Sequence, residues 1–245
     1  MRTASGDSTH VERLADDLFQ GVADDALAAE IGRWLAGSRR FRAFATTHRA
    51  KIHKKLRVAA DGAARADVRA ELRVAHLLLA DARLELAFEA HGSGKAGPDF
   101  TVAMRGEQAL DLEVTRLRSA RALGSPLLAK LRQFQPAVPN LLVIARSDSE
   151  TDGLDVAAVV RDLRARADRK DDAFFASRGL VDARGFYERF LRLGGVVIWR
   201  EDAAVDARAL LWVNRSARIA LPDRASRAVL DALRNDPRRP SAATT

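Results

Sequence analysis

Residues 97–117 read GPDFTVAMRGEQALDLEVTRL, and the fold turns on them. Residues 98–104 and 108–117 read as two strands. Arg105-Gly106-Glu107 between them suits a short hairpin loop with Gly106 at positive φ. Alternation along the second strand sends Asp111, Glu113 and Thr115 to one face, and Leu110, Leu112 and Val114 to the core. Register decides whether Asp99 joins Glu113. A three-residue loop sets Asp99 opposite Glu113, whereas a two-residue loop at Gly106-Glu107 sets it opposite Val114, on the wrong face. We adopt the first. Two carboxylates held on strands are hard oxygen donors of the kind that hold Mg²⁺ or Mn²⁺. Such an ion can polarise a phosphodiester and activate a water. Asp111 has two readings, a third ligand or a solvent-facing neighbour of this pair, and the second is preferred.

Upstream, residues 84–90 (LELAFEA) alternate as a third strand, followed by the glycine-rich turn 91–97 (HGSGKAG). Before it the pattern is helical from His10 to about Leu79. Val11, Leu14, Leu18 and Val22 mark a first helix, and Leu27, Ile31, Trp34 and Leu35 a second. One basic helix then runs from Arg39 to Arg57, and a fourth from about Arg65 to Ala80 carries Glu71. Downstream come a helix around residues 126–135, an apolar strand at 139–145 and helices at 155–170 and 185–193. Strands at 195–200 and 209–214 and a helix at 223–234 follow. This order predicts an α/β protein with a mixed central sheet flanked by helices and an N-terminal helical region. The expected organisation is a helical region at 9–62, an α/β core at 63–234 and a disordered polar tail at 235–245.

Composition sets wider limits. The 245 residues carry a net charge of +8, which favours a polyanionic partner, most often nucleic acid. No cysteine occurs, which excludes disulfides, thiolate metal sites and cysteine nucleophiles. No apolar run is long enough to span a membrane and no secretory h-region opens the chain, so a cytoplasmic protein is expected. No acid lies between Ser38 and Ala60, so the basic helix is unbalanced. Arg49, Lys51, Lys54 and Lys55 are its candidate phosphate contacts. His48, His53 and His76 make no metal set; His76 reads as a core or boundary histidine and His91 as a loop histidine. Trp199 and Trp212 fall in strands and read as core. The glycine-rich turn lacks the order of a P-loop, and no nucleophile elbow or dinucleotide fingerprint is present.

Glu71, then Pro98-Asp99-Phe100, then Leu112-Glu113-Val114-Thr115 resembles the PD-(D/E)XK nuclease superfamily over about residues 65–145. The wording of these stretches also looks like a bacterial protein family without an assigned activity. The resemblance implies a restriction-endonuclease-like core and metal-dependent phosphodiester hydrolysis on DNA. Asp99 and Glu113 would hold Mg²⁺ or Mn²⁺, Glu71 would assist, and Thr115 would stand where the superfamily has its Lys. The helix bearing Lys130, Gln133 and Gln135 matches one that adds a polar group to the site in some members, and Lys130 is a further candidate for contact with nucleic acid. A neutral Thr cannot supply the positive charge of the motif Lys. Either Lys95, Arg116 or Lys130 substitutes, or the metal acts alone, or the chain is a degenerate nuclease fold that only binds nucleic acid or a partner. A homodimer is compatible with all of these.

Overall fold

The computed structural model describes residues 4–90, 97–117, 123–146, 155–200 and 208–235, with side chains from residue 9. It divides into two compact units, Met1–Ala82 and Arg83–Thr245. The helix expected to open the α/β core thus falls in the first unit.

The described residues of the first unit form five helices: α1 (Ala4–Phe19), α2 (Asp25–Gly37), α3 (Arg39–Thr47), α4 (Arg49–Val58) and α5 (Gly62–Ala80). Its start signals are polar N-caps. Asp24, Ser38 and Asp61 accept from the main-chain N–H groups of Leu27, Phe41 and Ala64. Apolar residues at helical spacing, among them Leu14, Leu18, Ile31, Trp34, Phe41, Ile52 and Leu56, are buried. His76 is buried too, stacked on Trp34 at 5.4 Å between ring centroids, as its place on the apolar stripe suggests.

The single basic helix expected at 39–57 is two helices parted at His48. The hydroxyls of Thr46 and Thr47 donate to the carbonyls of Arg42 and Ala43 at 2.9 and 3.0 Å. Such back-bonding competes with the helical ladder and bends or ends it. The first helix also starts earlier than expected, at Ala4 rather than His10.

The second unit is built on one six-stranded mixed sheet in the order β1–β6. The strands are β1 (Leu84–Phe88), β2 (Phe100–Met104), β3 (Leu110–Arg116), β4 (Asn140–Arg146), β5 (Leu193–Arg200) and β6 (Ala209–Val213). β1, β2 and β3 form an antiparallel meander, β3, β4 and β5 run parallel, and β6 closes antiparallel on β5. Among the described residues the helices of this unit are α6 (Gly124–Leu131), α7 (Val156–Asp168), α8 (Asp172–Ala176), α9 (Ala183–Phe190) and α10 (Asp223–Arg234). The short α8 is not foreseen from the sequence; Asp171 caps it by accepting from Phe174 N–H at 3.3 Å.

Parallel β3–β4–β5 pairing aligns Glu113 with Leu142 and Leu142 with Val196, so these side chains share a face. Leu127, Leu128, Leu131, Val160, Leu163, Phe186 and Phe190 from α6, α7 and α9 pack with Leu142, Ile144, Val196 and Ile198 into one core on that face. Trp212 is half-buried against it. α10 packs against β1, β2 and β6, and Trp199 donates its indole N–H to Leu233 O of α10 at 3.1 Å. Trp199 is core, as expected. No helix among the described residues is long and apolar enough to cross a membrane.

Candidate functional site

The β2–β3 hairpin pairs Phe100 with Leu112, Thr101 with Asp111 and Val102 with Leu110. This is the register of the three-residue loop, with Gly106 at φ 80° and Glu107 N–H donating to Met104 O at 3.0 Å. One step beyond the last pair stand Asp99 and Glu113. The ladder cannot continue through Pro98, which has no N–H. Side chains complete it instead. Val114 N–H donates to Asp99 Oδ2 at 2.8 Å, and Asp99 N–H donates to Glu113 Oε2 at 3.1 Å. Each carboxylate is thereby fixed by main chain of its partner's strand. Asp99 is 9% exposed and Glu113 2%.

A third group arrives from the helix above this face. Leu127 and Leu131 anchor α6 in the core, and Lys130 flanks that stripe in the last turn. Its ammonium donates to Glu113 Oε1 in a salt bridge, with the lysine side chain 22% exposed. Burial is the main influence on Glu113, and the negative charge of Asp99 adds to it. Lys130 and the Asp99 N–H act in the opposite sense. The balance pushes the Glu113 carboxyl from its usual 4.5 up to about 7.

Asp111 departs from expectation. It is 2% exposed, and Thr101 donates its hydroxyl to Asp111 Oδ1 at 2.7 Å. The cross-strand pair of Thr101 and Asp111 buries a carboxylate that strand alternation alone assigns to solvent. Thr115 lies on the same face as Glu113, half-buried, and its hydroxyl makes no hydrogen bond among the described residues. Arg116 falls on the opposite face by alternation, and Lys95 and His91 lie outside the described residues. Glu89, which no sequence signal marked, adjoins the pair. Its N–H donates to Asp99 O at 2.9 Å while its own φ is 46°, a left-handed conformation unusual away from glycine.

Glu71 lies on α5 in the first unit, where Lys55 of α4 donates to its Oε2 at 2.6 Å. The other basic candidates divide similarly. Arg49 is paired with Asp17 at 2.7 Å, and Lys51 is half-buried. Lys54 is exposed and has no partner among the described residues. Arg57, one turn on, is in the same state. His10, Arg13, Leu14, Asp17, Thr46 and Arg49 line a cleft of about 370 Å³ between α1 and the α3–α4 corner.

Among the described residues no group of three or more His, Asp or Glu side chains is placed to hold a metal. Asp99 and Glu113 are a pair of hard oxygen donors, and Mg²⁺ ordinarily takes one or two carboxylates and completes its shell with water and substrate oxygens. The donor chemistry therefore fits. No family model, curated protein or solved structure matches the chain.

Proposed function

We propose that the second unit is a restriction-endonuclease-like core whose Asp99–Glu113–Lys130 cluster hydrolyses phosphodiester bonds in DNA with Mg²⁺ or Mn²⁺. The observation that carries this reading is the reciprocal clamp between Asp99 and Glu113. It brings two buried carboxylates together at the end of a hairpin and fixes each through a main-chain N–H. The sequence of elements supports it as well: α5, three meandering strands, α6 and a strand parallel to the third.

The ion would supply Lewis-acid polarisation of the scissile phosphate and a lowered pKa for attacking water. Asp99 and Glu113 would hold it. Lys130 brings the positive charge that Thr115 cannot, from the helix rather than from the strand. Thr115, half-buried on the same face and with its hydroxyl uncommitted, is available for water or a phosphate oxygen. Glu71 assists at most indirectly, since Lys55 already balances its charge.

A second reading has its own support. An ammonium already seated on Glu113, with a neutral Thr115, is what a nuclease fold retained only for binding nucleic acid would carry. The two part in a cleavage assay on duplex DNA, single-stranded DNA and RNA with Mg²⁺ and with Mn²⁺. Asp99→Ala and Glu113→Ala should each lower cleavage by about 10²-fold or more, the scale of losing a preorganised charge-stabilising group. Cleavage that survives in both variants removes the assignment. DNA binding without cleavage in the unaltered protein selects the second reading.

A further inference from the structure

We infer that Lys130 is a displaceable resident cation: its ammonium holds the Asp99–Glu113 pair together until a divalent ion arrives, then leaves Glu113 for the substrate side. This rests on the reading of Asp99 and Glu113 as metal ligands and goes beyond it, because it assigns Lys130 two successive positions.

Three observations lead there. First, Glu113 Oε2 and Asp99 Oδ2 are committed to main-chain N–H groups, which fixes both carboxylates. Glu113 Oε1 faces α6 and takes the ammonium. An oxygen that attracts one cation attracts another, and like charges close together repel, so a divalent ion at Oε1 would compete with the ammonium for it. Second, two buried carboxylates side by side are costly without a compensating charge. Lys130 therefore has a structural task, compensating the Asp99–Glu113 pair from α6. Third, Lys130 can move. It sits in the last turn of α6, is 22% exposed, and carries its charge on a flexible four-carbon stem. Once withdrawn, its ammonium stands beside the carboxylate pair, where charge develops on a phosphate.

The test is Mg²⁺ binding by calorimetry at pH 8.5 to the unaltered protein and to Lys130→Met, Lys130→Gln and Asp99→Asn. Alongside it, the acetylation rate of Lys130 in the unaltered protein is followed by mass spectrometry with and without Mg²⁺. A charge-assisted hydrogen bond that no longer competes should let Lys130→Met, or Lys130→Gln should the first not fold, bind Mg²⁺ about tenfold more tightly. Mg²⁺ should also speed acetylation of Lys130 several-fold, and Asp99→Asn should abolish that effect. Equal or weaker Mg²⁺ binding in the Lys130 variants, or protection of Lys130 by Mg²⁺, overturns the displacement while leaving the metal site intact. Absence of Mg²⁺ binding in every protein overturns the metal site, and the displacement with it.

Discussion

Glu113 gathers burial, a neighbouring carboxylate and a lysine ion pair at one side chain. Its carboxyl, raised by burial and by Asp99 to about 7, binds a proton in the folded state at pH values where the unfolded chain, near 4.5, has lost it. Stability from this group is fully present below 4.5 and is lost as pH rises through 7. A shift of that size corresponds to about 3 kcal/mol. Glu113→Gln keeps the shape and removes the titration. Urea unfolding at pH 4.5 and pH 8 should show the unaltered protein losing about 3 kcal/mol relative to Glu113→Gln over that span. A difference between the two that is flat with pH sinks the assignment. At this scale the sequence was readable where main chain sets the geometry. Alternation orients Glu113, whereas the register that brings Asp99 beside it had to be chosen between two loops. Lys130 was one of three candidate cations, because a helix reaches over a strand only through tertiary packing of Leu127 and Leu131. Asp111 was misread for the same kind of reason: its burial depends on a hydroxyl from the facing strand, ten residues away.

Elements were legible where the pattern carries its own punctuation. Gly106 marked the β2–β3 loop, although both candidate registers contained it and the pairing itself chose between them; apolar spacing marked the helices, whose starts Asp24, Ser38, Asp61 and Asp155 fix by accepting a main-chain N–H as a cap. The α3–α4 break has no glycine or proline and depends on two threonine hydroxyls, so periodicity runs through it. Glycine has a different meaning in the two units. At Gly195 in β5 an added Cβ would stand 2.8 Å from Trp212 O and 2.9 Å from Leu221 Cδ1. The carbonyl belongs to the paired strand β6 and cannot yield without opening the ladder. At Gly32 in α2 an added Cβ meets nothing within 4 Å. Gly195→Ala should therefore destabilise by about 2–3 kcal/mol through overpacking. Gly32→Ala should stabilise by about 0.5–1 kcal/mol by restricting the unfolded chain. Chemical denaturation of the two variants measures both, and equal effects of either sign contradict the sheet pairing described for β5 and β6.

For the molecule as a whole, the surplus of cations over anions is the property most visible in the sequence and least specific in meaning. The structure sharpens it by separating cations already bound to carboxylates from cations that face solvent alone. Lys55 and Lys130 neutralise Glu71 and Glu113, and Arg49 pairs with Asp17. Lys54 and Arg57, three residues apart on one face of α4, are exposed and make no ion pair among the described residues. If α4 tracks the DNA backbone, these two residues release counterions on binding and Lys55 does not. In the logarithm of affinity against the logarithm of salt concentration, Lys54→Ala/Arg57→Ala should make the slope shallower by about two, one for each lost phosphate contact. Lys55→Ala should leave the slope unchanged, because its charge is already spent on Glu71. Fluorescence anisotropy on a labelled duplex across a salt series reads both slopes. Identical slopes for the unaltered protein and the double variant would move DNA contact away from α4, and a shallower slope for Lys55→Ala would show that the Lys55–Glu71 pair opens on binding.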